Sequence, residues 1–151
     1  MSNTTFDLSN LDHAVQQIQE ISVGLPVHPN DSVKPLVLIA DDDAAVRQIL
    51  RIHMEMNGFA VKEAGRGMQV LAGLHHNPDL VLLDISMPGL GGEDCLREIR
   101  RRRPGLKVII VSGLIDIEDR KDSMNAFDVL AKPVDCRRLI SSVNRAIALS
   151  A

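Results

Sequence analysis

The chain has 151 residues, enough for one domain with a sizeable core but too few for two full domains. Hydrophobic residues make up 45% of it and aromatic residues only 2%, so the core must be aliphatic and base-stacking surfaces for single-stranded nucleic acid are not expected. The net charge of −3 divides into −4 over residues 1–33, which contain no Lys or Arg, and +1 over the remainder, where 17 basic residues face 16 acidic ones; this balance argues against broad attraction to nucleic acid or membranes.

Residues 1–33 are predicted to form an N-terminal extension, separate from the domain that covers residues 34–151. A short amphipathic helix is indicated by apolar residues at three- and four-residue spacing, namely Leu8, Leu11, Val15 and Ile18. Gly24 and Pro26 end this helix, and a linker runs from Val27 to Val33. The helix either packs on its own domain or serves as a docking or dimerisation helix that positions a partner or a second copy of the chain.

The chain shows no signal-peptide layout and no apolar run of membrane-spanning length, so a cytoplasmic protein without membrane insertion is predicted. Cys95 and Cys136 each lie in a helical pattern and not in a C-x-x-C motif. They are interpreted as reduced packing residues, with a disulfide as the alternative.

From Lys34 onward, short apolar runs alternate with amphipathic stretches. Strands are predicted at 35–40, 59–64, 79–84, 106–113 and 128–131. Helices are predicted at 44–58, 67–76, 92–103 and 116–125, with a last helix capped by Asp135. Nearly continuous apolar strands separated by helices are typical of an α/β fold, a doubly wound parallel sheet covered on both faces.

Polar residues stand where four of these strands end. Right-handed crossovers bring the carboxyl ends of parallel strands to one edge of the sheet, where such folds bind ligands. The residues delivered to this edge are Asp41, Asp42, Asp43, Asp84, Ser112 and Lys132.

This set predicts phosphoryl chemistry that depends on a divalent cation. Asp41, Asp42 and Asp84 would repel one another unless a cation neutralised them, and hard carboxylate ligands without His or Cys favour Mg²⁺ or Mn²⁺. Lys132 and Ser112 would supply a charge and a donor for phosphoryl oxygens. Asp84, mounted between the apolar run VLL and the rigid turn ISMPG, is the candidate nucleophile for an aspartyl phosphate.

The four motifs VLIADDD, VLLDISMPG, VIIVSG and AKP resemble, in this order, the receiver domain of two-component response regulators (CheY-like). The resemblance covers about residues 34–150. It implies a flavodoxin-like (βα)5 fold, with a five-stranded parallel sheet in the order 2-1-3-4-5.

The resemblance also implies a role for each motif residue. Asp84 is the phosphoacceptor, and the Mg²⁺ (or Mn²⁺) ligands are Asp42 directly, Asp41 partly through water, Asp84 itself and the backbone carbonyl of Ser86. Ser112 supplies the hydroxyl that moves toward the phosphoryl group. Lys132 is the salt-bridge partner of that group and precedes Pro133 through a cis bond. Asp43 is predicted to cap the first helix and not to bind metal.

The sequence departs from the family pattern on the side that usually carries the signal. Val129 stands three residues before Lys132, where members of the family usually have an aromatic switch residue, and Phe127 is interpreted as a packing residue. The segment from Ser112 to Lys132 is also short for the family, which predicts a trimmed helix near 116–125.

Other features are given ordinary structural interpretations. Arg100 to Arg103 are interpreted as the solvated end of a helix, where cations complement the helix dipole. His75 and His76 are predicted at the surface, and Met54, Met56 and Met68 in or near the core. Ile49 is predicted on the apolar stripe of the helix at 44–58, together with Val46, Leu50 and Met54.

The leading hypothesis is a phosphorylation switch that accepts a phosphoryl group on Asp84 from a sensor histidine kinase or a histidine phosphotransfer protein. It then signals by binding a downstream protein or by phosphorelay, without direct nucleic-acid binding. No enzymatic activity is expected beyond self-phosphorylation and self-dephosphorylation. The alternatives are a degenerate receiver that acts as a phosphorylation-independent interaction module, and an Mg²⁺-dependent phosphatase with an Asp nucleophile.

Overall fold

The computed structural model describes residues 33–150, and within them five strands alternate with five helices. The strands are β1 (Leu36–Ala40), β2 (Ala60–Ala64), β3 (Leu80–Leu83), β4 (Lys107–Ser112) and β5 (Asp128–Ala131). The helices are α1 (Ala44–Met56), α2 (Gly67–Gly73), α3 (Gly92–Arg102), α4 (Lys121–Met124) and α5 (Cys136–Ala148), with 3-10 turns at Leu74–His76 and Ile117–Arg120.

All strand pairs are parallel, and the sheet has the order β2-β1-β3-β4-β5. The predicted doubly wound α/β fold and its strand order 2-1-3-4-5 are therefore confirmed. The extension predicted for residues 1–33 lies outside the described residues except for Val33, and the boundary between extension and domain remains a prediction. No helix of the described part is long and apolar enough to cross a membrane.

The core consists of two apolar clusters, one on each face of the sheet. Alternate residues of β1 show the division, since Leu38 belongs to one cluster and Ile39 to the other. Helices α2, α3 and α4 contribute buried residues to the first cluster, and α1 and α5 to the second. Strands β1, β3 and β4 are apolar along most of their length because they are covered from both sides.

Three of the apolar residues that were predicted to face the core are exposed. Met54 is fully buried as predicted, but Ile49, Met56 and Met68 are 54%, 77% and 69% exposed. In α1, Leu50 and Met54 fill the narrow face that meets the sheet. Positions 49 and 56 lie roughly 100° or more around the helix from residue 50, on a side that the sheet does not cover.

The interpretation of Arg100 as part of a solvated helix end is wrong. Its two terminal nitrogens, Nη1 and Nη2, donate to the main-chain carbonyls of Leu106 at 2.5 Å and Asn125 at 2.6 Å. Arg100 thus ties the end of α3 to the segments that lead into β4 and β5. The next two arginines are exposed, as predicted, and pair with Glu98 on their own helix.

Candidate functional site

Strand register brings the predicted site residues together at the carboxyl edge of the sheet. The last residues of β1 and β3 are paired, and the amide of Asp84 donates to the carbonyl of Ala40 at 2.8 Å, so Asp41 and Asp84 are neighbours. In the same way, the amide of Lys132 donates to the carbonyl of Ser112 at 2.8 Å. The ends of four separate strands therefore place two carboxylates (Asp41 and Asp84), one hydroxyl (Ser112) and one amine (Lys132) at the same edge of the sheet.

Three carboxylates form a compact cluster at this edge. Oxygen atoms of Asp41, Asp42 and Asp84 lie within 4.8 Å of one another. Asp41 and Asp84 are 1% and 3% exposed, whereas Asp42 is open to solvent. The cluster offers oxygen ligands only, from two buried acids and one accessible acid, and this donor set fits a hard divalent cation such as Mg²⁺ or Mn²⁺.

In this structure Lys132 supplies positive charge to the cluster. Its ammonium lies 2.6 Å from Oδ2 of Asp41 and 3.4 Å from Oδ2 of Asp84. Burial alone would lower the pKa of Lys132, but the hydrogen bonds and charges of the two carboxylates outweigh burial, so its pKa is raised. Lys132 is therefore fully charged at neutral pH and oriented into the site.

One cation does not balance the acids completely. Burial raises the pKa of Asp84, and repulsion from Asp41 adds to this effect. The hydrogen bond from the Ser86 amide and the attraction of Lys132 act in the opposite direction and are not sufficient to cancel it. The ionised form of Asp84 is thus held at a cost, which an additional cation at the cluster would relieve.

The turn after β3 holds Asp84 through the main chain. The amide of Ser86 donates to Oδ1 of Asp84 at 3.0 Å, and the amide of Gly92 donates to the carbonyl of Ile85 at 3.1 Å. A Cβ on Gly92 would overlap the carbonyl of Asp84, so glycine permits the start of α3 to pack directly on this turn. Gly89 has φ of +76°, a conformation that glycine adopts readily.

Ser112, Val129 and Phe127 are buried or packed against the core. Ser112 is fully buried, and its hydroxyl accepts a hydrogen bond from the amide of Leu114 at 3.2 Å. Val129 is 2% exposed within β5. Phe127 packs against the second apolar cluster and is a packing residue, as predicted. The peptide bond between Lys132 and Pro133 is cis, as the resemblance implied.

Asp43, the third acid of the run, caps α1 and does not belong to the carboxylate cluster. Its Oδ1 accepts from the amides of Ala45 at 2.9 Å and Val46 at 3.3 Å. This prediction is confirmed. The metal-binding role of the Ser86 carbonyl remains a prediction, although its amide already contacts Asp84.

Sequence reasoning missed Arg47, in the first turns of α1. Its Nη1 donates to the main-chain carbonyl of Asp41 at 2.7 Å. No motif marks this contact, because its acceptor is a backbone atom. The position of an arginine one turn after the capping residue Asp43 is the only signal, and it is weak.

Comparison with known proteins agrees with this geometry. The family model of the response regulator receiver domain matches residues 37–144. The chain is 35% identical over 116 residues to the DNA-binding transcriptional regulator NtrC of Salmonella typhimurium, and the matched region covers 75% of this chain and 25% of NtrC. It is 33% identical over 110 residues to the transcriptional regulatory protein ResD of Bacillus subtilis, and the matched region covers 71% of this chain and 45% of ResD. The chain thus spans less than half the length of these two relatives.

Solved structures show the same relationship. A response regulator receiver protein from Pseudomonas putida is 33% identical with a TM-score of 0.69, over 76% of this chain and 98% of that one. The receiver domain of the Francisella response regulator 1452 is 30% identical with a TM-score of 0.72, over 78% of this chain and 100% of that one. The family model matches most of the chain, and the sheet has the strand order that the resemblance implied. This protein therefore belongs to the response regulator receiver domain family.

Proposed function

We propose that Asp84 accepts a phosphoryl group in a reaction that requires Mg²⁺ or Mn²⁺. The proposal depends chiefly on one observation, the buried Asp84 carboxylate within 4.8 Å of two further carboxylate groups and 3.4 Å from the ammonium of Lys132. In the transfer, a carboxylate oxygen of Asp84 forms a bond to phosphorus while the bond between phosphorus and the donor breaks. A cation bound by the three carboxylates would neutralise charge on the phosphoryl oxygens.

The remaining residues of the site have distinct roles in this proposal. Asp41 and Asp42 hold the cation together with Asp84 and the carbonyl of Ser86. Lys132, already charged and directed at the carboxylates, pairs with a phosphoryl oxygen after transfer. The hydroxyl of Ser112 donates to another oxygen of that group, and it can still accept from the Leu114 amide while it does so.

The phosphoryl donor and the downstream target are inferred from the family to which the chain belongs. A sensor histidine kinase or a histidine phosphotransfer protein would supply the phosphoryl group, and a downstream protein would bind the phosphorylated form or receive the group in a phosphorelay. No direct nucleic-acid contact is assigned to this domain. The domain is not an enzyme acting on external substrates; only self-phosphorylation and self-dephosphorylation on Asp84 are proposed. The N-terminal extension, residues 1–33, is proposed to position a partner or a second copy of the chain.

Small-molecule phosphorylation tests the proposal directly. Purified protein is incubated with acetyl phosphate and Mg²⁺, and intact mass is measured before and after treatment with hydroxylamine, which cleaves acyl phosphates. We expect one hydroxylamine-sensitive phosphoryl group on the wild type and on Asp43→Asn, and none on Asp84→Asn or on wild type with EDTA. Modification of Asp84→Asn to the wild-type level would exclude Asp84 as the acceptor.

The same experiment tests one alternative, and an assay with an added phosphomonoester tests the other. A degenerate receiver, the reading favoured by Val129 in place of the usual aromatic, would gain no phosphoryl group under any condition. A phosphatase would turn over a phosphomonoester and would need a second acid beside Asp84. Asp43, the spare acid of the run, is committed to capping α1 in the described structure.

A further inference from the structure

Arg47 contacts the main chain of Asp41, whereas Lys132 contacts its carboxylate. Its side chain is 20% exposed, with Nη1 2.7 Å from the carbonyl oxygen of Asp41 and Nε 3.4 Å from a carboxylate oxygen of Glu63. The guanidinium therefore links the end of β1 to the end of β2. Its planar, fixed arrangement of donors makes this two-point contact possible.

The carbonyl that Arg47 binds belongs to the peptide between Asp41 and Asp42. Strand β1 ends at Ala40, so this peptide lies beyond the strand's own ladder. Among the described residues, Arg47 is the hydrogen-bond donor recorded for this carbonyl. The guanidinium thus takes the place of a ladder hydrogen bond where the backbone leaves the sheet.

Every polar atom of Asp41 has a partner in the structure. Its amide donates to Ala64 at 3.1 Å, its carbonyl accepts from Arg47, and its two carboxylate oxygens accept from the Asp43 amide at 2.9 Å and from Lys132 at 2.6 Å. A cation bound by the carboxylate oxygens would compete with the Lys132 contact. The two main-chain contacts of Asp41, with Ala64 and Arg47, involve no carboxylate oxygen and would hold the residue.

We propose that Arg47 is a positioning residue for the divalent-cation site. By fixing the peptide that joins Asp41 to Asp42, it keeps the buried and the exposed carboxylate directed toward the same point. The inference rests on the proposed function, because it requires that the carboxylate cluster bind a cation. Arg47 itself touches neither cation nor phosphoryl group.

Charge and geometry make opposite predictions for Arg47. As a positive charge near a cation site, it would weaken cation binding, although its pairing with Glu63 offsets part of that charge. As a hydrogen-bond donor to the Asp41 carbonyl, it would strengthen binding. Arg47→Lys retains the charge but cannot hold both Asp41 and Glu63, so it isolates the geometric contribution.

Arg51 provides a matched control one turn further along α1. Its Nη1 lies 2.8 Å from the other carboxylate oxygen of Glu63, and no contact with Asp41 is recorded for it. Arg51→Lys therefore makes the same chemical change on the same helix against the same partner. It leaves the support of the Asp41 carbonyl in place.

The primary experiment is calorimetric titration of the 151-residue wild type, Arg47→Lys and Arg51→Lys with MgCl₂. We expect the Mg²⁺ dissociation constant to rise about tenfold in Arg47→Lys, the lower end of the range for groups that orient metal ligands. Arg51→Lys should stay within about twofold of wild type, since it orients no ligand. Circular dichroism establishes that all three proteins are folded at the titration temperature.

A metal-free measurement gives a second readout. The Asp43 amide donates to the Asp41 carboxylate, so we expect its hydrogen exchange to be faster in Arg47→Lys than in wild type or Arg51→Lys. Arg47→Met, which removes both donor and charge, should also bind Mg²⁺ more weakly. Tighter binding by Arg47→Met would show that the charge dominates and would overturn the inference.

Two further outcomes separate this inference from the proposed function. Normal Mg²⁺ binding by wild type together with unchanged binding by Arg47→Lys, or equal weakening in Arg47→Lys and Arg51→Lys, overturns the inference alone. A wild-type protein that binds no Mg²⁺ overturns both the inference and the proposed function.

Discussion

Replacing Asp84 by Asn is expected to stabilise the metal-free protein, although Asp84 is the proposed phosphoacceptor. Asparagine keeps an oxygen for the Ser86 amide but removes one charge from the cluster. Burial, with repulsion from Asp41, raises the pKa of Asp84, so the folded protein holds the neutral carboxyl more favourably than the unfolded chain does. The ionised group is therefore a net cost at neutral pH.

The magnitude follows from the distances in the cluster. Carboxylates at the observed limit of 4.8 Å repel by about 3.5 kcal/mol at an effective dielectric constant of about 20. The Lys132 ammonium at 3.4 Å from Asp84 attracts it by about 5 kcal/mol on the same scale. The raised pKa shows that burial and repulsion together exceed this attraction. Since single substitutions typically change stability by about 1 kcal/mol, we expect a net gain of that order.

The assay is thermal unfolding in EDTA at pH 7.5, followed by circular dichroism because the chain has no Trp and no Tyr. A gain on the order of 1 kcal/mol raises the melting temperature by about 4 °C in a domain of this size. Asp43→Asn, which removes an exposed charge but keeps a good capping residue, should change stability by less than about 0.5 kcal/mol.

Two conditions check the cause of the effect. The contribution of a group whose folded-state pKa is raised falls as the pH rises through that pKa, so the advantage of Asp84→Asn should shrink as the pH is lowered from 7.5 toward 4. Mg²⁺ at ten times its dissociation constant should stabilise the wild type by about 1.4 kcal/mol and the variant by less. A variant that is less stable than wild type in EDTA, or equal stabilisation of both proteins by Mg²⁺, would refute the reasoning.

Three further substitutions or modifications test the surrounding structure. Gly92→Ala should lower the unfolding free energy by about 2–3 kcal/mol, because an added Cβ overlaps the main chain of the preceding turn. Gly105→Ala is the control, since an added Cβ there has no atom within 4 Å, and it should change the unfolding free energy by less than about 0.5 kcal/mol. Urea unfolding measures both. Burial raises the pKa of Asp128, but hydrogen bonds, first among them the one donated by the Ser142 hydroxyl at 2.7 Å, outweigh burial and lower the pKa. Ser142→Ala should therefore raise the pKa of Asp128, as measured by NMR titration, and should lower the unfolding free energy by about 1–3 kcal/mol. Burial raises the pKa of the Cys95 thiol to about 11, so Cys95 should not react with a thiol reagent at pH 8 in the folded protein. At most one cysteine, the half-buried Cys136, should then be modified, whereas both should be modified in urea.

The sheet and the site could be predicted from the sequence because their determinants are local. Each central strand is a short apolar run, and each site residue directly follows or ends such a run, so parallel topology alone brings Asp41, Asp84, Ser112 and Lys132 to one edge. The capping role of Asp43 was equally predictable, since it depends on two amides within three residues.

The errors concern contacts between residues that are distant in sequence or that involve the backbone. Arg100 binds the carbonyl of Asn125, 25 residues away, and charge patterning at the end of a helix cannot indicate such a partner. Arg47 binds a carbonyl of Asp41, which every residue possesses. Met56 and Met68 follow helical spacing, but spacing does not determine how much of the helix circumference the sheet covers.

Val129 stands where members of the family usually have an aromatic switch residue, and we propose that the short segment between β4 and β5 responds to Asp84 instead. Helix α4 has only four residues and cannot be stable alone. The preceding 3-10 turn, Ile117–Arg120, is joined to its neighbours by two exposed ion pairs, Glu118 with Arg138 and Arg120 with Glu93, and such pairs contribute about 0–1 kcal/mol each. Its chief internal anchor is Ile117, which is 1% exposed. We therefore expect a small displacement of the adjoining end of β4 to rearrange this segment without any change in an aromatic rotamer.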